Sequence, residues 1–161
     1  MEQINSLNQV ADFHRTFNAP VLEKPQIPSK ERCDLRINLM QEELNEIKEA
    51  IENDDLVEIS DGLCDLMYVL AGSILEFGLG EKFVELFNEV HRSNMSKACD
   101  TQQEALMTLS HYKKKDGTEG HYKEINGKWI VYRASDDKVL KSINYSPAEL
   151  KKIIKNESQE V

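Results

Sequence analysis

The residues best suited to chemistry stand close together. Gln41–Asp65 reads QEELNEIKEAIENDDLVEISDGLCD and holds ten acids (Glu42, Glu43, Glu46, Glu49, Glu52, Asp54, Asp55, Glu58, Asp61 and Asp65) against one base, Lys48. Ten minus one gives this segment −9, the formal charge of the whole chain, so the other residues balance at 19 acids and 19 bases. Two explanations are open: a solvated helical surface, or carboxylates gathered to hold cations. Solvated Glu-rich helices usually interleave Lys four residues after Glu, because like charges at i, i+3 and i, i+4 repel. Here ten acids share one lysine, a pattern that costs stability unless cations offset it.

Two helices must position these acids. Ser29 can cap one over about 30–52, with an apolar stripe of Ile37, Met40, Leu44, Ile47 and Ile51 spaced 3-4-3-4. Glu43 and Glu46 border that stripe near Leu39 and Ala50, while Glu42 and Glu49 point further outward. The sequence ENDD breaks the helix, and Asp54 or Asp55 can cap the next, which runs to about Phe77 before Gly78 and Gly80. On it, Glu58, Asp61 and Asp65 form one stripe at i, i+3, i+7; Leu63, Cys64, Leu66, Met67, Leu70, Ala71, Ile74 and Leu75 fill nearly every other direction. A helix apolar all round except one strip is expected inside the protein, with its acids facing a cleft. Gly62 and Gly72 flank the stripe and leave room beside it; Glu76 extends it to the helix end, where solvent is the expected neighbour. Antiparallel packing across ENDD brings Glu43 and Glu46 opposite Asp61 and Asp65. Four carboxylates in a partly dry site cannot all ionise without a counterion. Hard divalent cations with oxygen ligands, Mg²⁺ or Mn²⁺, answer that need. A di-iron bundle would want Glu-x-x-His on two helices, and none occurs here.

The rest of the chain frames this pair. Residues 6–18 set Leu7, Val10, Phe13 and Phe17 at helical spacing, with Asn5 or Ser6 as cap; His14 beside them reads as a boundary residue, not a ligand. Pro20, Pro25 and Pro28 make the following stretch extended. A helix over 81–94 is expected to bury Phe83, Leu86, Phe87 and Val90. Four amphipathic helices with short connections predict an all-α, antiparallel four-helix bundle over residues 1–100. Residues 101–161 read as an appendage: a short helix at 102–112, a small β-meander at about 120–144, and a final short helix at 147–155. The meander has Asn126-Gly127 as a type I′ turn and Asp136-Asp137 as a second turn, with Trp129 and Tyr132 as its small core. The last helix opens on Ser146-Pro147-Ala148-Glu149, a capping box with proline at the first position, and the NESQEV end is expected to fray.

Composition narrows the function. No apolar run approaches the roughly 18 residues that span a bilayer. The N-terminal MEQINSLNQVADF lacks the basic start and apolar stretch of a secretory signal, and Cys33, Cys64 and Cys99 form no CxxC pair. Together these predict a cytoplasmic protein with reduced thiols. An acidic chain with no basic stripe is a poor partner for nucleic-acid polymers or anionic membranes. Small anionic substrates stay open where a metal mediates.

Glu42-Glu43-x-x-Glu46, then Glu58-x-x-Asp61 and Asp65-Leu-Met-Tyr, resembles the EExxE…ExxD signature of the all-α nucleoside triphosphate pyrophosphohydrolases, the MazG-like superfamily. FNEVHRSNMSK at 87–97 and KVLKSINYSPAEL at 138–150 are similar to a phosphoribosyl-ATP pyrophosphohydrolase-like branch. The resemblance covers about 6–100 and 138–150; residues 101–137 look like an insertion. It implies hydrolysis of a nucleoside triphosphate between the α and β phosphates, to a nucleoside monophosphate and pyrophosphate, in a homodimer or homotetramer. It implies Mg²⁺ (or Mn²⁺) on Glu43, Glu46, Asp61 and Asp65, with Glu42 orienting or deprotonating the attacking water. If Asp65-Leu-Met-Tyr aligns with the family's D-L-L-Y, the position three before it is Gly62, and Asp61 or Glu58 supplies the missing ligand. If Glu58-x-x-Asp61 is the ExxD, Asp65 is an extra acid one turn on. Positioning and charge neutralisation dominate such chemistry, so cationic groups should face the phosphates. Arg92, Asn94 and Lys97 are the candidates; a basic helix end favoured by the dipole explains them equally well. Phosphoribosyl-ATP hydrolysis and a non-catalytic cation-binding module are the alternative functions.

Overall fold

The α2–α3 hairpin that carries the acids forms as its sequence dictates. In the computed structural model, which describes residues 4–155, α1 spans Ser6–Thr16, α2 Lys30–Glu52 and α3 Leu56–Glu76. The NESQEV end lies outside the described residues. The Ser29 hydroxyl accepts from the Arg32 N–H to cap α2. Of the two candidate caps for α3, Asp55 serves, accepting from the N–H groups of Val57 and Glu58 at 3.0 and 3.2 Å. Asp54, at φ 55°, makes the reversal between the helices. The proline-rich strap then clamps the end of α3: Leu22 N–H donates to Leu75 O and Gln26 N–H to Phe77 O. Gly78 follows at φ +66°, where a Cβ would stand 1.9 Å from Lys24 O, so only glycine fits.

The chain divides into two compact units, Met1–Phe83 and Val84–Val161. The first holds α1, α2 and α3, and its apolar core is Val10, Ala11, Ala71 and Leu75 with Leu7 and Val21 against it. Helix α1 buries the flank carrying His14 and Ala11, which leaves Phe13 and Phe17 exposed rather than in the core. The expectation that α3 is interior also fails for its N-terminal two-thirds. Leu56, Leu63, Met67 and Leu70 are exposed, as are Ile37, Leu44 and Ile51 of α2. The physical reason is that α3 packs mainly on α2 and α1 within this unit, and two helices cannot surround a third.

The second unit holds α4 (Phe83–Met95, entered through a 3₁₀ turn at Gly80–Lys82), α5 (Gln102–Asp116), strands β1 (Gly120–Ile125) and β2 (Lys128–Arg133), and α6 (Leu150–Lys155). Its core is Cys99, Ala105, Val131 and Leu140, with Leu109, Tyr112, Tyr122 and Trp129 packed on it. Helix α4 buries Leu86 and Ser93, while Phe87 and Val90 stay exposed, against expectation. Helix α5 runs a turn further than expected, to a left-handed cap at Gly117. The strands pair antiparallel around Asn126 and Gly127, both at positive φ as a type I′ turn requires. The meander's third strand is reduced to a Tyr132–Val139 bridge, because Ser142 N–H turns away to Lys97 O. Further along the same free edge of β2, Cys99 bridges Trp129. Trp129 packs on the core as expected, but Tyr132 lies on the opposite face, stacked with His121. The last helix starts at Leu150, not at 147: Ser146 and Pro147 receive the Arg92 guanidinium, and Glu149 N–H donates to Glu89 Oε1, so the capping box never closes. The described fold is therefore mostly helical with a small two-stranded sheet, and α4 groups with the second unit.

Candidate functional site

The α2–α3 contact sorts acids from apolar residues. Ile47 and Gly62 face each other, and a Cβ on Gly62 would stand 2.7 Å from Ile47 Cγ1. Counted from that line at about 100° per residue, Glu43 and Glu46 fall on one flank of α2, and Ile37, Leu44 and Ile51 on the other. On α3 the same count places Glu58, Asp61 and Asp65 on one flank, and Leu56, Leu63 and Leu70 on the other. In an antiparallel pair like-signed flanks share a side, so the hairpin has one acidic face and one apolar face.

On the acidic face the structure brings Glu42, Glu43, Glu46, Asp61 and Asp65 into mutual electrostatic reach around Glu43. Glu43 is half-buried, and its Oε2 is enclosed with no hydrogen-bond partner. Burial raises its carboxyl above the ordinary value, and the charges of Glu46, Asp65, Glu42 and Asp61 push it further in the same direction. An enclosed carboxylate oxygen without a donor is costly unless it is protonated or meets a cation. Glu58 sits at the turn end of the hairpin, one helical turn after the Asp54 reversal. It lines, with Glu46, Glu49, Ala50, Asn53 and Asp55, a depression of about 420 Å³. Glu46 thus borders both groups. Among the described residues no three or more His, Cys, Asp or Glu side chains are already arranged to hold a metal ion. The fit to a hard cation rests instead on the orphaned Glu43 oxygen and on an all-carboxylate donor set, which suits Mg²⁺ or Mn²⁺.

The other sequence candidates belong to the second unit and have partners there. Arg92 donates through Nε and Nη2 to Glu89 at 2.7 and 2.8 Å, and to Ser146 Oγ and Pro147 O at 3.0 and 3.1 Å. Those bonds, with the Glu149 N–H, hold the Glu89 carboxyl at about 2. Lys97 Nζ donates to Asn94 Oδ1 at 2.8 Å. His91 is exposed on α4.

Sequence reasoning missed the network behind the acidic face. Glu76, assigned to solvent, is buried. It accepts from Arg32 Nε and Arg36 Nε, both at 2.9 Å, and from the Nη2 of each. Arg36 Nη2 lies 3.3 Å from His14 Nε2, whose Nδ1–H donates to Pro20 O at 2.8 Å. His14 is thus buried and hydrogen-bonded, a structural residue of the core and not a boundary one. Burial alone would raise the Glu76 carboxyl, but the two guanidinia outweigh it and hold it below its ordinary value. Gly72 lets the network close, since a Cβ there would meet Arg36 Nη1 at 2.8 Å and His14 Nε2 at 2.9 Å. The available signal was Arg32 and Arg36 at i, i+4, the bases of α2 left without acids in register.

Residues 10–94, which include every carboxylate of the acidic face, match the family model described as Phosphoribosyl-ATP pyrophosphohydrolase. The chain is also similar to an uncharacterized protein of Acanthamoeba polyphaga mimivirus, 23% identical over 88% of this chain and 92% of that protein.

Proposed function

The chain belongs to the phosphoribosyl-ATP pyrophosphohydrolase family, within the MazG-like superfamily, and from that membership we propose that it is a Mg²⁺-dependent nucleoside triphosphate pyrophosphohydrolase. The observation that carries this reading is the Glu43 oxygen, enclosed, unpartnered and surrounded by four further acids inside the matched segment. In this reading Glu43, Glu46, Asp61 and Asp65 would hold the cation, with Glu58 as the ligand nearest the turn. Bound there, Mg²⁺ (or Mn²⁺) neutralises phosphate oxygens and lowers the pKa of the attacking water. Glu42, exposed beside Glu43, takes the water's proton. Water adds between the α and β phosphates, and the nucleoside monophosphate and pyrophosphate leave. The roles proposed for Arg92, Asn94 and Lys97 add nothing to this support, because each is engaged within the second unit.

The family's description favours one second reading, phosphoribosyl-ATP as the substrate. Pyrophosphate release from a panel of (d)NTPs and phosphoribosyl-ATP with Mg²⁺ or Mn²⁺ separates the two. The double variant Glu46→Gln plus Asp61→Asn should lose metal-dependent release on whichever substrate turns over. No release from any of them, by a folded protein, would refute both readings in favour of a non-catalytic cation-binding module.

We also propose self-association, as a homodimer or homotetramer, through the apolar face of the hairpin. Ile37, Leu44 and Ile51, and Leu56, Leu63 and Leu70, form two ridges of equal length and seven-residue spacing. Together with Met67 they leave on the order of 700 Å² of apolar surface in water, close to what one partner contributes to a standard interface. A second copy offers the matching ridges.

A further inference from the structure

Three aromatic rings stand in solvent beside the acidic face. Phe13 and Phe17 of α1 pack at 4.4 Å between centroids, and Phe13 meets Tyr68 of α3 edge-on at 5.5 Å and 85°. All three are exposed, Phe17 by 66%. Contiguous exposed apolar patches, unlike hydrophobic residues scattered singly, mark interaction surfaces and ligand-binding grooves. Their position is specific. Tyr68 lies on the acidic flank of α3, one turn past Asp65, and its stripe continues that of Asp61. The rise from Asp65 to Tyr68 is about 4.5 Å and from Asp61 about 10 Å. The first unit therefore carries, on one flank, a carboxylate group suited to a cation–phosphate complex and, next along the helix, an aromatic platform suited to a flat ring. A nucleotide has those two ends, joined by a sugar.

We propose that Phe17, supported by Phe13 and Tyr68, is the stacking platform for the nucleobase, so that the substrate lies along α3 with its base on the rings and its phosphates at the carboxylates. The inference rests on the pyrophosphohydrolase reading and deepens it. It applies to any nucleobase, since every base has a π-face, and it makes the platform a source of affinity rather than of base choice. Phe17 is the ring to test: it is the C-cap of α1 and buries little, so replacing it leaves the core intact.

The experiment compares wild type, Phe17→Ala and Phe17→Trp, with folding checked by circular dichroism. Stacking on one ring sets an expected rise in KM of roughly ten- to a hundredfold for Phe17→Ala, with kcat falling less than KM rises. In Phe17→Trp, KM should return toward wild type, and the new indole's emission should be quenched by a non-hydrolysable α,β-methylene nucleotide with Mg²⁺ but not by inorganic tripolyphosphate. Equal KM for wild type and Phe17→Ala, or an unquenched Phe17→Trp, overturns the proposal. A change of oligomeric state in Phe17→Ala with unchanged KM also overturns it and makes the rings a protein contact. If wild type neither hydrolyses nor binds nucleotide, the pyrophosphohydrolase reading has failed and takes this one with it. The wild-type data alone show which of the two failed.

Discussion

Glu76→Gln is the substitution on which the structure makes its strongest demand. The carboxylate is 1% exposed and faces Arg36, 9% exposed, and Arg32, 35% exposed. The amide keeps the shape but removes the charge, so Arg36 is left buried beside a neutral group and His14. Breaking a buried pair by removing one partner costs about 3–5 kcal/mol, because the stranded charge cannot reach water. The Arg32 share is smaller, since solvent screens it. At about 2–4 °C per kcal/mol for a chain of this length, the melting temperature at pH 7 should fall by roughly 6–20 °C. Thermal unfolding followed by circular dichroism at 222 nm measures it. The pH dependence gives an internal control. The Glu76 carboxyl lies below its ordinary value of 4.5. Its contribution is therefore fully present above pH 4.5 and is lost as pH falls through the folded value. Wild type and Glu76→Gln should differ most at neutral pH and converge as the pH falls below 4.5 and through the lowered Glu76 value. A loss below about 1 kcal/mol at pH 7, or a gap that does not close in acid, would refute the idea that this network pins α1 to the hairpin.

Two further outcomes are expected. Glu43→Gln removes an unpartnered buried charge, so without metal it should melt a few degrees above wild type; Mg²⁺ at a hundredfold over its Kd should stabilise wild type by about 2.7 kcal/mol and leave Glu43→Gln nearly unmoved, as read by melting with and without the cation. Leu63→Glu places a charge midway along the apolar face, and light scattering should find it monomeric under conditions where wild type associates; a monomeric wild type would remove the case for self-association.

Local chemistry made much of this legible in the sequence. The i, i+3, i+7 acid stripe, the Ser29 and Asp55 caps and the Asn126-Gly127 turn are each set by a few neighbouring residues, and each holds in the fold. The helical periods of α2 and α3 alone put Glu43 and Glu46 on one flank and Asp61 and Asp65 on the facing one, because a short ENDD break leaves only an antiparallel return. Other features depended on partners far along the chain. An apolar position says that a side chain seeks cover, not which neighbour supplies it, so Phe13, Phe17, Phe87 and the outer ridges of the hairpin could not be told from core. Ser146-Pro147-Ala148-Glu149 has every local mark of a helix start, yet the Arg92 guanidinium and the Glu89 carboxylate claim its polar groups first. Glu76 shows the same limit most directly. By sequence it is one more acid at a helix end; only the close approach at Gly72, which brings two arginines from α2 and a histidine from α1 onto it, makes it the buried centre of the first unit. Helical period and capping are properties of residues within a few positions of each other. The satisfaction of a buried charge is a property of what three dimensions bring to it.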